Sequence, residues 1–66
     1  MRLMVNGKSF EYKDAPDLGS LAAHLKLPTH GTAIELNGTI IRRGLYSSTP
    51  LGANDQLEII RLVGGG

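Results

Sequence analysis

Apolar and polar residues alternate from the first position. Met1, Leu3 and Val5 fall on one side and Arg2, Met4 and Asn6 on the other, which predicts a half-buried strand over residues 1–6. Asn6-Gly7 follows, and the pair suits the two positive-φ positions of a type I′ turn. Phe10 and Tyr12 then share a face opposite Ser9 and Glu11, so residues 1–12 read as a β-hairpin. Asp14-Ala15-Pro16-Asp17 breaks the alternation, and Asp17 is placed to cap a helix by accepting a backbone N–H of its first turn. Leu18, Leu21, Ala22 and Leu25 recur at helical spacing as one apolar stripe, with Ser20, Ala23 and His24 turned to solvent. Pro28 disfavours helical backbone at Leu27 and Lys26 suits the negative end of the helix dipole, so the helix should stop near residues 25–26. So short a helix is marginal alone, and Gly19 costs it about 1 kcal/mol relative to alanine. It must pack on a sheet.

Beyond the turn residues 29–31, alternation through Ile34 and Leu36 predicts a strand over residues 32–37. Asn37-Gly38 repeats the hairpin signal before a strand over residues 39–42. Residues 43–55 contain Gly44, Pro50, Gly52 and Asn54-Asp55 and read as an irregular connection with a short turn. Residues 56–63 read as the last strand. Leu57 and Ile59 lie on one face and Ile60 and Leu62 on the other, and apolar residues on both faces suit a central strand. The elements predict an α+β fold with one helix packed on one face of a mixed four- or five-stranded sheet. Residues 1–63 form the domain, and Gly64-Gly65-Gly66 follow as a tail.

A chain of 66 residues has room for one core, and 41% hydrophobic with 20% charged residues is a globular composition. Seven Lys and Arg against six Asp and Glu leave a net charge of +1, far from the balance of a nucleic-acid module. With no cysteine there is no disulfide, no thiolate metal site and no nucleophilic thiol in the chain. The missing disulfides suggest a reducing, cytoplasmic setting. The longest apolar run near the start, Leu3-Met4-Val5, is too short for a signal peptide or a membrane span. A pocket-based enzyme would hollow out a core of this size, so a carrier, modifier or binding module fits better.

The candidate chemical motifs mostly have plainer readings. Gly7-Lys8-Ser9 resembles the end of a phosphate-binding loop, but Arg2 stands where the motif needs its first glycine and a strand follows where it needs a helix. His24 and His30 lack companions for a metal site and read as solvated side chains. Asp14 and Asp17 are accounted for by a turn and a cap rather than by acid-base work. Arg42-Arg43 reads as a solvated hairpin end. The glycine tail is different. Three glycines are entropically unfavourable to order, so they do not serve stability. They read either as a frayed terminus or linker remnant, or as a bare arm that threads a narrow channel and presents a reactive carboxylate.

Taken along its whole length, the chain resembles the bacterial thiamine-biosynthesis sulfur carriers, the ThiS group of the ubiquitin-like β-grasp fold. The resemblance rests on Val5-Asn6-Gly7, the helical segment 18–25, Ile34-Glu35-Leu36-Asn37-Gly38-Thr39-Ile40-Ile41, Asn54-Asp55-Gln56-Leu57-Glu58-Ile59-Ile60, and Val63-Gly64-Gly65-Gly66. The chain departs from the family's frequent Pro-Arg with Arg42-Arg43, and from its frequent Gly-Asp with Asn54-Asp55.

The resemblance implies a carrier rather than an enzyme. An E1-like, ThiF-like adenylyltransferase would adenylate the carboxylate of Gly66 with ATP and Mg²⁺. A persulfide from a sulfurtransferase or cysteine desulfurase would convert it to a thiocarboxylate, and a ThiG-like thiazole synthase would take the sulfur. Gly64 and Gly65 would thread the partner's channel, and Ile60, Leu62 and Val63 would help dock it. The chain itself would bind no cofactor or metal, no nucleic acid and no membrane. A molybdopterin-synthase small subunit, a protein modifier and a pure binding module remain open alternatives. Ile60 and Leu62 are expected to face solvent, unless residues 43–55 fold over them.

Overall fold

The computed structural model describes residues 1–13, 17–28 and 30–61. Within them the order is β1 (Arg2–Val5), β2 (Lys8–Glu11), α1 (Leu18–His24), β3 (Thr32–Leu36), β4 (Thr39–Ile41), a 3₁₀ helix (Arg43–Ser48) and β5 (Gln56–Arg61). The strands form one five-stranded sheet in the order β2-β1-β5-β3-β4. β1 runs parallel to β5 and the other neighbouring pairs are antiparallel. The sheet is therefore mixed, and β5 is its central strand.

Both hairpins turn on their Asn-Gly pairs, with φ of 52° and 79° at Asn6 and Gly7 and of 51° and 88° at Asn37 and Gly38. These are the left-handed conformations that a type I′ turn requires. Asp17 caps α1 as its position predicts, its Oδ1 accepting the Ser20 N–H at 2.7 Å. Leu18 and Leu21 bury the predicted stripe against the sheet, joined by Leu3, Ile34, Leu57 and Leu51 in the core. The helix ends at Leu25, followed by Lys26 at φ 56°. The Leu27 N–H donates to the Ala22 carbonyl and the Lys26 N–H to the Ala23 carbonyl. This is a Schellman cap with lysine where glycine is usual, satisfying two otherwise orphaned carbonyls.

Two expectations need correction. Residues 43–55 are more ordered than their glycine and proline content suggests. They open with the 3₁₀ helix and then carry Leu51 into the core at 8% exposure. Gly19, which looked like a plain loss to the helix, is where this connection comes close. An alanine Cβ built there would lie 3.0 Å from Ser47 Oγ and 3.2 Å from Ser47 Cα. The Leu18 N–H donates to the Thr49 carbonyl at 2.8 Å, and Asp17 bridges Pro50, so the connection clasps the start of the helix.

Candidate functional site

β5 leads toward the glycine tail, and its position is set by both hairpins. The Asn6 N–H donates to the Leu57 carbonyl at 2.9 Å, and the Asn6 side-chain oxygen accepts the Ile59 N–H at 2.7 Å. On the other side, the Asn37 N–H donates to the Gln56 carbonyl at 2.8 Å. The Asn37 Oδ1 accepts the Gln56 N–H at 2.9 Å, and its Nδ2 donates to Asp55 Oδ1 at 3.1 Å. Each turn asparagine thus fixes its own tight turn and also grips the central strand with its amide. Local sequence showed the turns, whereas the grip on β5 depends on a sheet order that local patterns do not encode.

Leu57 and Ile59 face the helix and belong to the core, as their alternation predicts. Ile60 lies on the opposite face of the sheet, half-buried and paired with Ala33. The connection 43–55 packs on the helix side, through the Ser47, Thr49, Pro50 and Leu51 contacts described above, and not over the face of Ile60. That face also carries Met4 and Ile40, the latter 61% exposed. Glu35 and Glu58 stand directly opposite each other on it. Like charges in register weaken a strand pair, so this pairing does not serve stability. Met4, Gly7, Glu35, Gly38, Gln56 and Glu58 border a shallow depression of about 330 Å³ on this face. Met4, Ile40 and the two glutamates were missed by sequence reasoning, although the same alternation that places Leu3 and Ile34 inside places these outside.

The remaining candidates fall where their plain readings put them. Gly7-Lys8-Ser9 lies in a turn and an edge strand, with no helix after it. His24 is exposed but not simply solvated, because its ring stacks on Tyr12 with centroids 4.7 Å apart. Arg43 is not free in solvent either, since its Nη2 donates to the Thr32 carbonyl at 3.3 Å. Among the described residues no three His, Asp or Glu side chains gather around a common point. No described helix is long and apolar enough to cross a membrane. Asp14, Leu62, Val63, Gly64, Gly65 and Gly66 lie outside the described residues.

The comparisons with known proteins agree with this architecture. A crystal structure of the thiamine biosynthesis protein ThiS from Geobacter metallireducens superposes with a TM-score of 0.85 at 30% identity, covering the whole of both chains. Its solution structure gives 0.77 at 28% identity, over all of this chain and 88% of that one. The mixed sheet, with one α-helix among the described residues, is the ubiquitin-like β-grasp fold. The sequence model of the ThiS family matches residues 3–66, and the chain belongs to this family of small sulfur carriers. The uncharacterised protein ycf40 of Porphyra purpurea is 34% identical over 64 residues, which are 97% of this chain and 90% of that protein. A thiazole synthase of Magnetococcus marinus is 29% identical over all 66 residues, and these make up only 20% of its length.

Proposed function

We propose that the chain is a sulfur carrier of thiamine biosynthesis in the cytoplasm, acting as a co-substrate and not as an enzyme. The observation that carries this reading is the family match, which spans residues 3–66 and so includes the glycine tail. A carboxylate is a poor electrophile. In this reading an E1-like, ThiF-like adenylyltransferase uses ATP and Mg²⁺ to join the Gly66 carboxylate to the α-phosphate, with pyrophosphate leaving. A persulfide supplied by a sulfurtransferase or cysteine desulfurase then displaces AMP, and a partner thiol cleaves the resulting acyl disulfide to leave the thiocarboxylate. The chain has no cysteine of its own, which is consistent with sulfur supplied by partners. Gly64 and Gly65 pass through a channel too narrow for side chains, while Ile60, Leu62 and Val63 dock the activating enzyme.

A ThiG-like thiazole synthase is the proposed sulfur acceptor. The reading is supported by the Magnetococcus marinus thiazole synthase, which holds a region similar to this chain within its own polypeptide. The test is ATP–pyrophosphate exchange by the E1-like enzyme. Exchange should depend on the chain and be lost on deleting Gly66. Exchange that is indifferent to Gly66 would contradict the proposal, and an isopeptide-linked adduct on a lysine would assign the chain to the protein modifiers.

A further inference from the structure

The hydrogen-bonding edge of β5 is satisfied unevenly. Along its β3 side the strand is paired from Leu57 to Arg61, the last pair being Thr32 with Arg61. Along its β1 side it is paired only at Gln56 and Leu57, because β1 turns away at Asn6-Gly7. Alternation sends the N–H and C=O groups of residues 57, 59 and 61 towards the β1 side. The Asn6 N–H to Leu57 carbonyl bond and the Ile59 N–H to Asn6 side-chain bond both show this. Asn6 therefore caps the last paired step. Beyond it, the Ile59 carbonyl and the Arg61 N–H and carbonyl have no hydrogen-bond partner among the described residues.

We infer that this three-group edge of β5 accepts an extended segment of the activating adenylyltransferase as an added strand. The inference rests on the sulfur-carrier reading and deepens it. An exposed strand edge is a template for strand addition, and main-chain pairing grips a partner without demanding particular side chains. Gly66 is the fifth residue after Arg61, so the arm from Arg61 to Gly66 reaches at most roughly 16 Å at about 3.3 Å per residue. An enzyme that must hold the carboxylate against a nucleotide therefore has to hold the body close by. Pairing at residues 59–61 also sets the arm off in an extended direction. A thiazole synthase that carries a similar region in its own chain has it covalently tethered, whereas an enzyme met by diffusion must hold the carrier through non-covalent contacts alone.

Arg61→Pro isolates the edge. The Arg61 N–H does not serve the β3 ladder, and proline is tolerated where its missing N–H would face solvent. The variant should keep the wild-type circular dichroism spectrum but bind the cognate adenylyltransferase about tenfold more weakly or worse, whereas Arg61→Ala should bind within about threefold of wild type. Amide hydrogen exchange on the wild-type chain gives a second readout that needs no variant. The Arg61 amide should exchange quickly in the free chain and slow by at least about tenfold when the enzyme is added with ATP. An Arg61 amide left unprotected in a complex that still adenylates the chain overturns the edge and leaves the functional reading intact. Protection by thiazole synthase alone, or in the isolated chain through pairing with a second copy, also overturns it. A chain that the enzyme never adenylates overturns the functional reading and the edge together.

Discussion

Gly19 provides a test in which two effects of similar size oppose each other. Replacing glycine by alanine inside a solvent-facing helix gains about 1 kcal/mol of helix propensity. Here the new Cβ would sit 3.0 Å from Ser47 Oγ, 3.2 Å from Asp17 Oδ1 and 3.2 Å from Ser47 Cα. The Ser47 hydroxyl can rotate away. The Cα is backbone of the 3₁₀ helix, and Asp17 is held by its 2.7 Å bond to the Ser20 N–H. Relief would have to stretch that cap or push the connection outward, against the 2.8 Å bond from the Leu18 N–H to the Thr49 carbonyl. Overpacking of this kind costs about 1–3 kcal/mol. The strain outweighs the propensity gain, and Gly19→Ala should destabilise by about 1 kcal/mol net, or about 4–8 °C in Tm. Gly44 is the control. A Cβ there meets nothing within 4 Å, so Gly44→Ala should be neutral or stabilise by up to about 1 kcal/mol. Urea unfolding followed by far-UV circular dichroism reads both. A Gly19→Ala chain as stable as wild type, or more so, would show that the connection does not clasp the helix.

The other predictions separate fold from function. Asn37→Ala removes the side-chain bonds to the Gln56 N–H and Asp55 and places alanine at φ 51°. It should cost about 2 kcal/mol in urea unfolding, with Asn37→Gly recovering about half of that. Asp17→Ala should cost about 1 kcal/mol in the same assay by uncapping α1. Deleting Gly65 and Gly66 should change stability by no more than about 0.5 kcal/mol while abolishing pyrophosphate exchange. Gly65→Val, at constant length, should depress exchange through steric exclusion from the channel. Ile60→Ser should weaken binding of the adenylyltransferase by about tenfold while costing about 1 kcal/mol or less of stability, and equal loss of both would place Ile60 in the core.

What was legible in the sequence is what short-range physics decides. The positive-φ demand of two turns, the carboxylate that caps a helix and the alternation of Leu3, Ile34 and Leu57 are all set within a few residues. The connection 43–55 was not legible as an ordered element. A six-residue 3₁₀ helix leaves no apolar period of 3.6, and Leu51 reaches the core from a segment without any repeat. Gly19 carried a visible propensity penalty, whereas its reason lies in Ser47, 28 positions away in the chain. Lys26 in a left-handed cap gave no signal, because nothing in a lysine announces positive φ. The candidate site divides in the same way. Ile60 was placed by alternation, but the acidic pair of Glu35 and Glu58 and the β1-side edge of residues 59–61, which has no β1 partner among the described residues, follow from the sheet order, which only long-range pairing sets.

The chemical state of Gly66 tests sulfur carriage most directly. The full-length chain should be incubated with ATP, Mg²⁺, the cognate E1-like adenylyltransferase and a persulfide donor, and its intact mass then recorded. A sulfur carrier should yield a product heavier than the starting chain by the difference between one sulfur and one oxygen atom. That product should lose the added mass when thiazole synthase and its substrates are supplied, and it should not form from a chain lacking Gly66. A mass that stays unchanged with every component active, or the same gain in the truncated chain, would contradict the assignment of sulfur to the terminal carboxylate.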